Sequence, residues 1–329
     1  MNFLIVGFGS VGSRHARNLT ALGISCLIVE PNVNRLEEAK IEGYVGFKDL
    51  NEVSNDFNFD AVLVCSPPVF HIEQTIWALE RNKKVFLEKP IGLNLNECTK
   101  LLQYDYSKVF VGYTYQWNPQ FLKLKEDISN DLIGKTYYAN FAIGMSLEDW
   151  HPWENYREFF MSSSELGGGA LLDESHFLEL AIDLFGLPEK ITSTHSKISS
   201  LEIETDDYVF TQFKYEKLLV DIKLDLFKRP HESFLQVYGD KGSINCDFIR
   251  KTNDLTTSIS YANAISNSYE FEYEKNDVFT NMMEDFLSFV YSETISPRVT
   301  IPRGLEVMLI IDKIKEASLK QNWITVGDQ

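Results

Sequence analysis

Short apolar runs recur through the first third of the chain, each ending at a polar or glycine-rich break and followed by residues with helical spacing. Phe3 to Val6 is such a run, and a helix is predicted over about Ser13 to Leu22. Cys26 to Val29 repeats it, followed by a helical stretch from Asn34 to Glu42 and a short strand at Tyr44-Val45. Phe59 to Cys65 is almost continuously apolar, as a strand covered on both faces should be, and it breaks at Ser66-Pro67-Pro68. The next helix, about Phe70 to Arg81, places Ile72, Ile76 and Leu79 on one face. Lys84 to Leu87 is a further strand, closing in Glu88-Lys89-Pro90. Asn94 reads as the N-cap of a helix that turns Cys98, Leu101 and Leu102 inward, and Val109 to Tyr115 as one more strand. Strands and helices in this alternation predict a doubly wound parallel sheet.

The texture changes near Trp117. Beyond it lie a helix from Phe121 to Ile128 and a glycine-rich turn into a long helix from Gly169 to Phe185. Alternating segments follow at Tyr208 to Tyr215, Leu218 to Phe227, Phe234 to Tyr238 and Ser243 to Phe248, with a hairpin turn at Gly239-Asp240-Lys241-Gly242. Two helices close the chain, about Asp277 to Glu293 and Arg303 to Lys320. The pattern therefore predicts an α/β protein: a Rossmann-type domain over residues 1–117, then an α+β domain over 118–329 with a large, mainly antiparallel open sheet. The last helix is expected to pack back on the first domain.

Length agrees with two domains, since 329 residues exceed a usual single one. A formal net charge of -17 repels phosphates on average, which argues against nucleic acid or an anionic membrane as partner. Four cysteines (Cys26, Cys65, Cys98, Cys246) lack CxxC or zinc spacing and suit reduced thiols. The chain starts directly on a strand, with no basic leader, and no apolar run approaches the ~20 residues that span a bilayer. A cytoplasmic protein is expected. An open sheet face would otherwise expose apolar area, so a homodimer or homotetramer is expected too.

Candidate chemistry begins at Gly7-Phe8-Gly9-Ser10-Val11-Gly12, directly behind the first apolar run. A strand, a glycine turn and a helix present backbone N–H groups and a helix dipole to a pyrophosphate. Glu30 ends the second run at about the ~20-residue offset of the acid that bonds the adenosine ribose, and it would repel a 2′-phosphate. NAD is therefore expected over NADP. A plain turn with a surface glutamate is the bland alternative. Lys89 stands at a strand end where ligands bind such sheets, although most Lys-Pro pairs are solvated surface. Asp173 and His176 are three apart on the predicted helix and so share one face, with Glu179 on the same stripe. Oxidising an alcohol sends a hydride to the nicotinamide and a proton to a base; a histidine beside a carboxylate suits the second task. A helix cap and a satisfied core histidine explain the same two residues equally well. Trp150, His151, Trp153, Tyr156 and Arg157 form an aromatic and cationic cluster that suits a sugar ring, or simply a packed loop. Arg157 and Arg229 are the candidates for gripping an anionic substrate group. No residue spacing suggests a metal site.

Together the glycine turn, Ser66-Pro67-Pro68 with His71, Glu88-Lys89-Pro90, Val111-Gly112-Tyr113 and Gly167-Gly168-Gly169 with Asp173 and His176 resemble the Gfo/Idh/MocA family, from Met1 to near Ile311. That resemblance implies an NAD(P)-dependent oxidoreductase acting on sugars, cyclitols or sugar derivatives. It places Lys89 at the nicotinamide and the reacting hydroxyl, Glu88 at the nicotinamide ribose, and Ser66, Pro67 and His71 along the adenosine–ribose side. It assigns Asp173 and His176 to catalysis with Lys89, and Tyr115 and Gln116 to the substrate. Gln116 stands where much of the family has an arginine, which removes a charge. Asp149-Trp150-His151-Pro152, Tyr156-Arg157 and Leu224-Asp225 with Arg229 look like a subgroup of bacterial surface-glycan or sugar-nucleotide pathways. Two rival functions stay open: a glycosidase that retains NAD and oxidises transiently, and a non-catalytic dinucleotide sensor or scaffold.

Overall fold

The computed structural model describes residues 1–54, 57–150, 152, 154–258, 264–292 and 294–327. The first six strands are β1 (Asn2–Val6), β2 (Ser25–Val29), β3 (Val45–Phe47), β4 (Ala61–Val64), β5 (Lys84–Glu88) and β6 (Val109–Gly112). Between them run α1 (Ser10–Ala21), α2 (Val33–Ile41), α3 (His71–Glu80) and α4 (Leu95–Cys98). The later helices are α5 (Pro119–Ser129), α6 (Leu147–Trp150), α7 (Ala170–Asp173), α8 (His176–Phe185), α9 (Lys275–Tyr291) and α10 (Ile301–Lys320). Strands β7 (Thr136–Gly144), β8 (Lys190–Ser196), β9 (Tyr208–Lys214), β10 (Leu219–Asp225) and β11 (Glu232–Gly239) precede β12 (Gly242–Asp247), β13 (Thr252–Ser258), β14 (Ala264–Glu270) and β15 (Ile324–Thr325).

Two compact units result: residues 1–114 with 274–308, and residues 115–273 with 309–329. In the first, the strand order is β3-β2-β1-β4-β5-β6 and every neighbouring pair is parallel. The chain steps outward from β1 to β3, then returns past β1 to β4. That reversal opens a crevice beyond the carboxyl ends of β1 and β4, where sheets of this kind bind ligands. Phe3, Leu4 and Ile5, all four residues of β4, and Val85 to Leu87 are fully buried, which explains their unbroken apolar character. α9 finishes the core: Phe286 meets Phe3, Phe86 and Phe110 edge-on, at 5.8, 5.4 and 5.5 Å between ring centroids. A boundary at residue 117 assigns this helix to the second domain. Its aromatic face packs instead on the parallel sheet, so it belongs to the first unit.

The second unit is built on a nine-stranded sheet ordered β14-β13-β12-β11-β7-β10-β9-β8-β15. All pairs are antiparallel except β7 with β10. Alternation follows burial: Val209, Thr211 and Phe213 of β9 and Val220, Ile222 and Leu224 of β10 are buried, while the residues between them are only partly covered. α5 packs against β12 and β13, α7 against β9 and β10, and α8 against β7 and β10. Asn118 caps α5, accepting from Gln120 and Phe121 N–H, which explains why that helix starts at Pro119 rather than Phe121.

Two expected elements are shorter than the sequence suggests. The strand expected to reach Tyr115 ends at Gly112 and passes into a 3₁₀ turn over Thr114–Trp117. The single helix expected from Gly169 to Phe185 is two, α7 and α8, joined at Glu174-Ser175. There Phe177 N–H donates to Glu174, three residues back, and the tighter bond breaks the α register. Glu293, the expected end of the first closing helix, and His151 and Trp153 of the aromatic cluster lie outside the described residues.

Candidate active site

The glycine turn is shaped by contacts that exclude side chains. Gly7 has φ of +97° and donates to Val29 O at 2.8 Å; a Cβ there would lie 2.8 Å from the backbone of Cys65 and Ser66. A Cβ on Gly12 would come 2.0 Å from Gly7 O, so glycine is what lets α1 lie against the strand. Gly9 is different, since its Cβ would meet nothing nearer than Arg35 Nη1 at 3.8 Å. The turn is therefore closed from below and open outward. α1 starts at Ser10 with Gly9 as a cap that offers no side-chain acceptor. The N–H groups of Ser10, Val11 and Gly12 lie in its first turn, where no intrahelical acceptor exists and the dipole is positive. This cradle fits a dinucleotide pyrophosphate.

Glu30 is buried, and each carboxylate oxygen already accepts a backbone bond: Oε2 from Phe8 N at 2.6 Å, Oε1 from Asn32 N at 2.8 Å. It thus holds the turn in shape, and its remaining lone pairs are what a ribose could use. The Phe8 ring is buried edge-on against Tyr44.

At the ends of β4 and β5 the structure gathers Ser66, His71, Glu88, Lys89 and Pro90. Pro67 precedes a 3₁₀ turn over Pro68–Phe70 that leads into α3. Ser66 Oγ donates to Gln74 Oε1 at 2.6 Å. The His71 ring is buried, with Nδ1 2.7 Å from Pro90 O and Nε2 2.7 Å from Ser66 O. Burial pushes its pKa below the ordinary histidine value, against the pull of those two carbonyls and of Glu88. His71 therefore sits between the segments that follow β4 and β5, held by backbone contacts, and its place along the cofactor is what the resemblance implies. Lys89 is half-buried, its peptide bond to Pro90 is cis, and its N–H donates to Glu88 Oε2 at 3.2 Å. Glu88 Oε1 meets His15 Nε2 at 2.8 Å. Reading the sequence missed His15. The available signal was its position three residues after Gly12 and four before Leu19, on the buried face of α1.

In the second unit Asp173 closes α7 and His176 opens α8, so the one-helix argument for their shared face does not hold. Asp206 sets the start of α7: its O accepts from Ala170 N at 3.0 Å and its Oδ2 from Leu171 N at 2.9 Å. The half-buried His176 ring packs edge-on against Tyr115, with centroids 5.3 Å apart, and Tyr115 OH is 3.5 Å from Ser233 Oγ. Burial drives the Tyr115 phenol pKa well up, so it stays protonated as a donor.

Gln116 points its amide at Glu179, donating to both carboxylate oxygens at 3.0 Å. Both residues are buried, and the amide serves that carboxylate rather than an open pocket. Arg229 forms a two-pronged pair with Asp149, at 2.7 and 2.8 Å, and also reaches Glu148 at 2.8 Å. Those carboxylates raise its pKa, and it in turn lowers that of Asp149. Arg157 binds Glu202 at 2.6 Å and lies over the Tyr156 ring. Trp150, the last residue of α6, is half-buried. Among the described residues no group of three or more His, Cys, Asp or Glu could hold a metal ion.

Comparison with known proteins matches an oxidoreductase family with an NAD-binding Rossmann fold over residues 1–110, and the GFO/IDH/MocA C-terminal domain over residues 121–245. Myo-inositol 2-dehydrogenase of Thermotoga maritima is 28% identical over 309 residues, 89% of each chain. A levoglucosan dehydrogenase solved with NADH superposes with a TM-score of 0.88, covering 100% of both chains at 19% identity. The WlbA dehydrogenase of Bordetella pertussis, solved with NADH and UDP-GlcNAcA, gives 0.82 at 17% identity, covering 100% of this chain and 99% of that one.

Proposed function

The chain belongs to the Gfo/Idh/MocA family of NAD-binding oxidoreductases, and on that premise we propose that it oxidises a secondary hydroxyl on a neutral sugar or cyclic polyol, or reduces the matching ketone. The turn and the first N–H groups of α1 bind the diphosphate, and Glu30 sets the adenosine end. NAD supplies the hydride acceptor. Lys89 contacts the reacting hydroxyl and, with His176, handles its proton, while Asp173 orients substrate. In the oxidising direction the O–H bond breaks to leave a proton on the protein, and the C–H electron pair leaves as hydride.

The observation that carries the choice of a neutral substrate is the pairing of both candidate arginines. An exposed ion pair is weak enough for a ligand to displace, so pairing alone would not exclude an anion. The charge balance does more: Arg229 faces two carboxylates and Arg157 one, leaving these sites neutral or negative toward an incoming anion. Gln116 adds no charge. The 28% identity to a myo-inositol 2-dehydrogenase supports the same class.

The test is a screen of neutral sugars, cyclitols, sugar acids and nucleotide sugars for NADH formation, with Lys89→Met and His176→Asn as controls. Turnover is expected on neutral ring polyols, falling by about 100-fold or more in either variant while NADH still binds. Best activity on a sugar acid or nucleotide sugar overturns the neutral assignment. Full activity in Lys89→Met overturns the mechanism.

A further inference from the structure

Two buried histidines from different helices end on the tripeptide that carries the lysine. His15, within α1, places Nε2 2.8 Å from Glu88 Oε1. His71, at the start of α3, lies between Pro90 O and Ser66 O with a ring nitrogen 2.7 Å from each; the neutral ring donates to one of them and the protonated ring to both. Lys89 thus has a histidine-held neighbour on either side. We propose that His15 and His71 are positioning residues that fix the direction of the Lys89 amine, His15 through the Glu88 carboxylate and His71 by tying Pro90 to Ser66. This rests on the oxidoreductase reading above.

The location gives the contacts their purpose. The last paired residues of β4 and β5 are Val64 and Leu87, so Ser66 and Lys89-Pro90 lie just past the point where ladder hydrogen bonds hold the strands in register. Something else must set the spacing there, and the His71 ring spans it. Glu88 works similarly from its other side: one oxygen takes His15, and the second takes the Lys89 N–H at 3.2 Å. The His15 ring cannot swing away, because Phe86 and Phe279 wall it at 5.1 and 5.9 Å between centroids. An apolar residue would fill either position without the cost of burying an imidazole, so packing alone does not explain the pair. Reaction geometry is sensitive at this scale, where a displacement of about 1 Å can cost on the order of 100-fold in rate.

The experiment uses the full chain with NADH bound. Lysines are reductively methylated with 13C-formaldehyde, and the Lys89 signal is assigned by its loss in Lys89→Arg. His15→Leu and His71→Leu are expected to move or broaden that signal. His15→Gln and His71→Gln, which keep one donor, are expected to restore it in part. On the sugar that the wild type turns over best, the leucine variants should lose about tenfold or more in kcat with KM little changed. A Lys89 signal and kcat unchanged in both leucine variants overturn the proposal. So does a loss that the glutamine variants fail to relieve at all, since that marks packing rather than hydrogen bonding. If a leucine variant does not fold, a methionine variant at the same position takes its place, and the same outcomes support or overturn the proposal. A wild type that oxidises no sugar overturns the oxidoreductase reading instead, and the NADH-bound lysine signal then decides the positioning claim by itself.

Discussion

Single residues show where chemistry could be read from letters alone and where it could not. Gly7, Gly9 and Gly12 are legible because their reason is local: one has a positive φ, one faces open space, and a Cβ on the third would lie 2.0 Å from Gly7 O. Gly12→Ala is expected to abolish NADH binding and to lower stability by about 1–3 kcal/mol, as overpacked sites do; fluorescence titration and urea unfolding check it. Arg157 and Arg229 are readable as cations, but their ion pairs are not, because Glu202, Glu148 and Asp149 reach them only in the fold. His71 brings a pH dependence. Its folded pKa is depressed, so the unfolded chain takes up the proton first as pH falls below the ordinary histidine value near ~6.5. Stability from this group is present above that value and drains away as pH drops toward the folded pKa, by at most about 1.4 kcal/mol per pH unit. Melting temperatures between pH 7 and 5 should fall less steeply in His71→Gln than in wild type.

Among elements, the parallel strands were the most readable, since burial on both faces forces an unbroken apolar run. β7 was not expected, although it is the longest strand of its sheet: Thr136, Tyr137, Asn140 and Gly144 dilute its apolar alternation. β14 was missed for a similar reason, because all seven of its residues are exposed and no burial pattern exists to be seen. Asn118 could be identified as a cap only once its side chain was seen accepting from Gln120 and Phe121. Asn118→Ala should cost about 1–2 kcal/mol, measured by denaturant unfolding; an unchanged midpoint would show that water replaces the cap. The joint between α7 and α8 is the instructive failure. Its apolar spacing continues smoothly through Glu174-Ser175, yet one i,i+3 hydrogen bond divides the helix and moves Asp173 and His176 onto different elements.

For the molecule as a whole, the fold has two compact units, and the chain does not divide between them at one point. Residues 274–308 return to the first unit because Phe286 and Phe289 complete its aromatic core. In the second unit one face of the nine-stranded sheet carries Tyr138, Phe210, Leu219 and Tyr238 only partly covered. We expect a second copy to cover that face, and sedimentation at micromolar protein should give a dimer or larger; a monomer would show that the face is tolerated in water. What the sequence determined by itself was whatever depends on near neighbours: the glycine turn, the strands buried on both sides, the helix faces and the lysine at a strand end. Only tertiary structure decided which partners those residues meet. His15 reaches Glu88 across 73 positions, β7 lies parallel to β10, and each arginine finds its carboxylate. Such pairings depend on chain segments arriving at the same place, and a linear pattern holds no record of that distance.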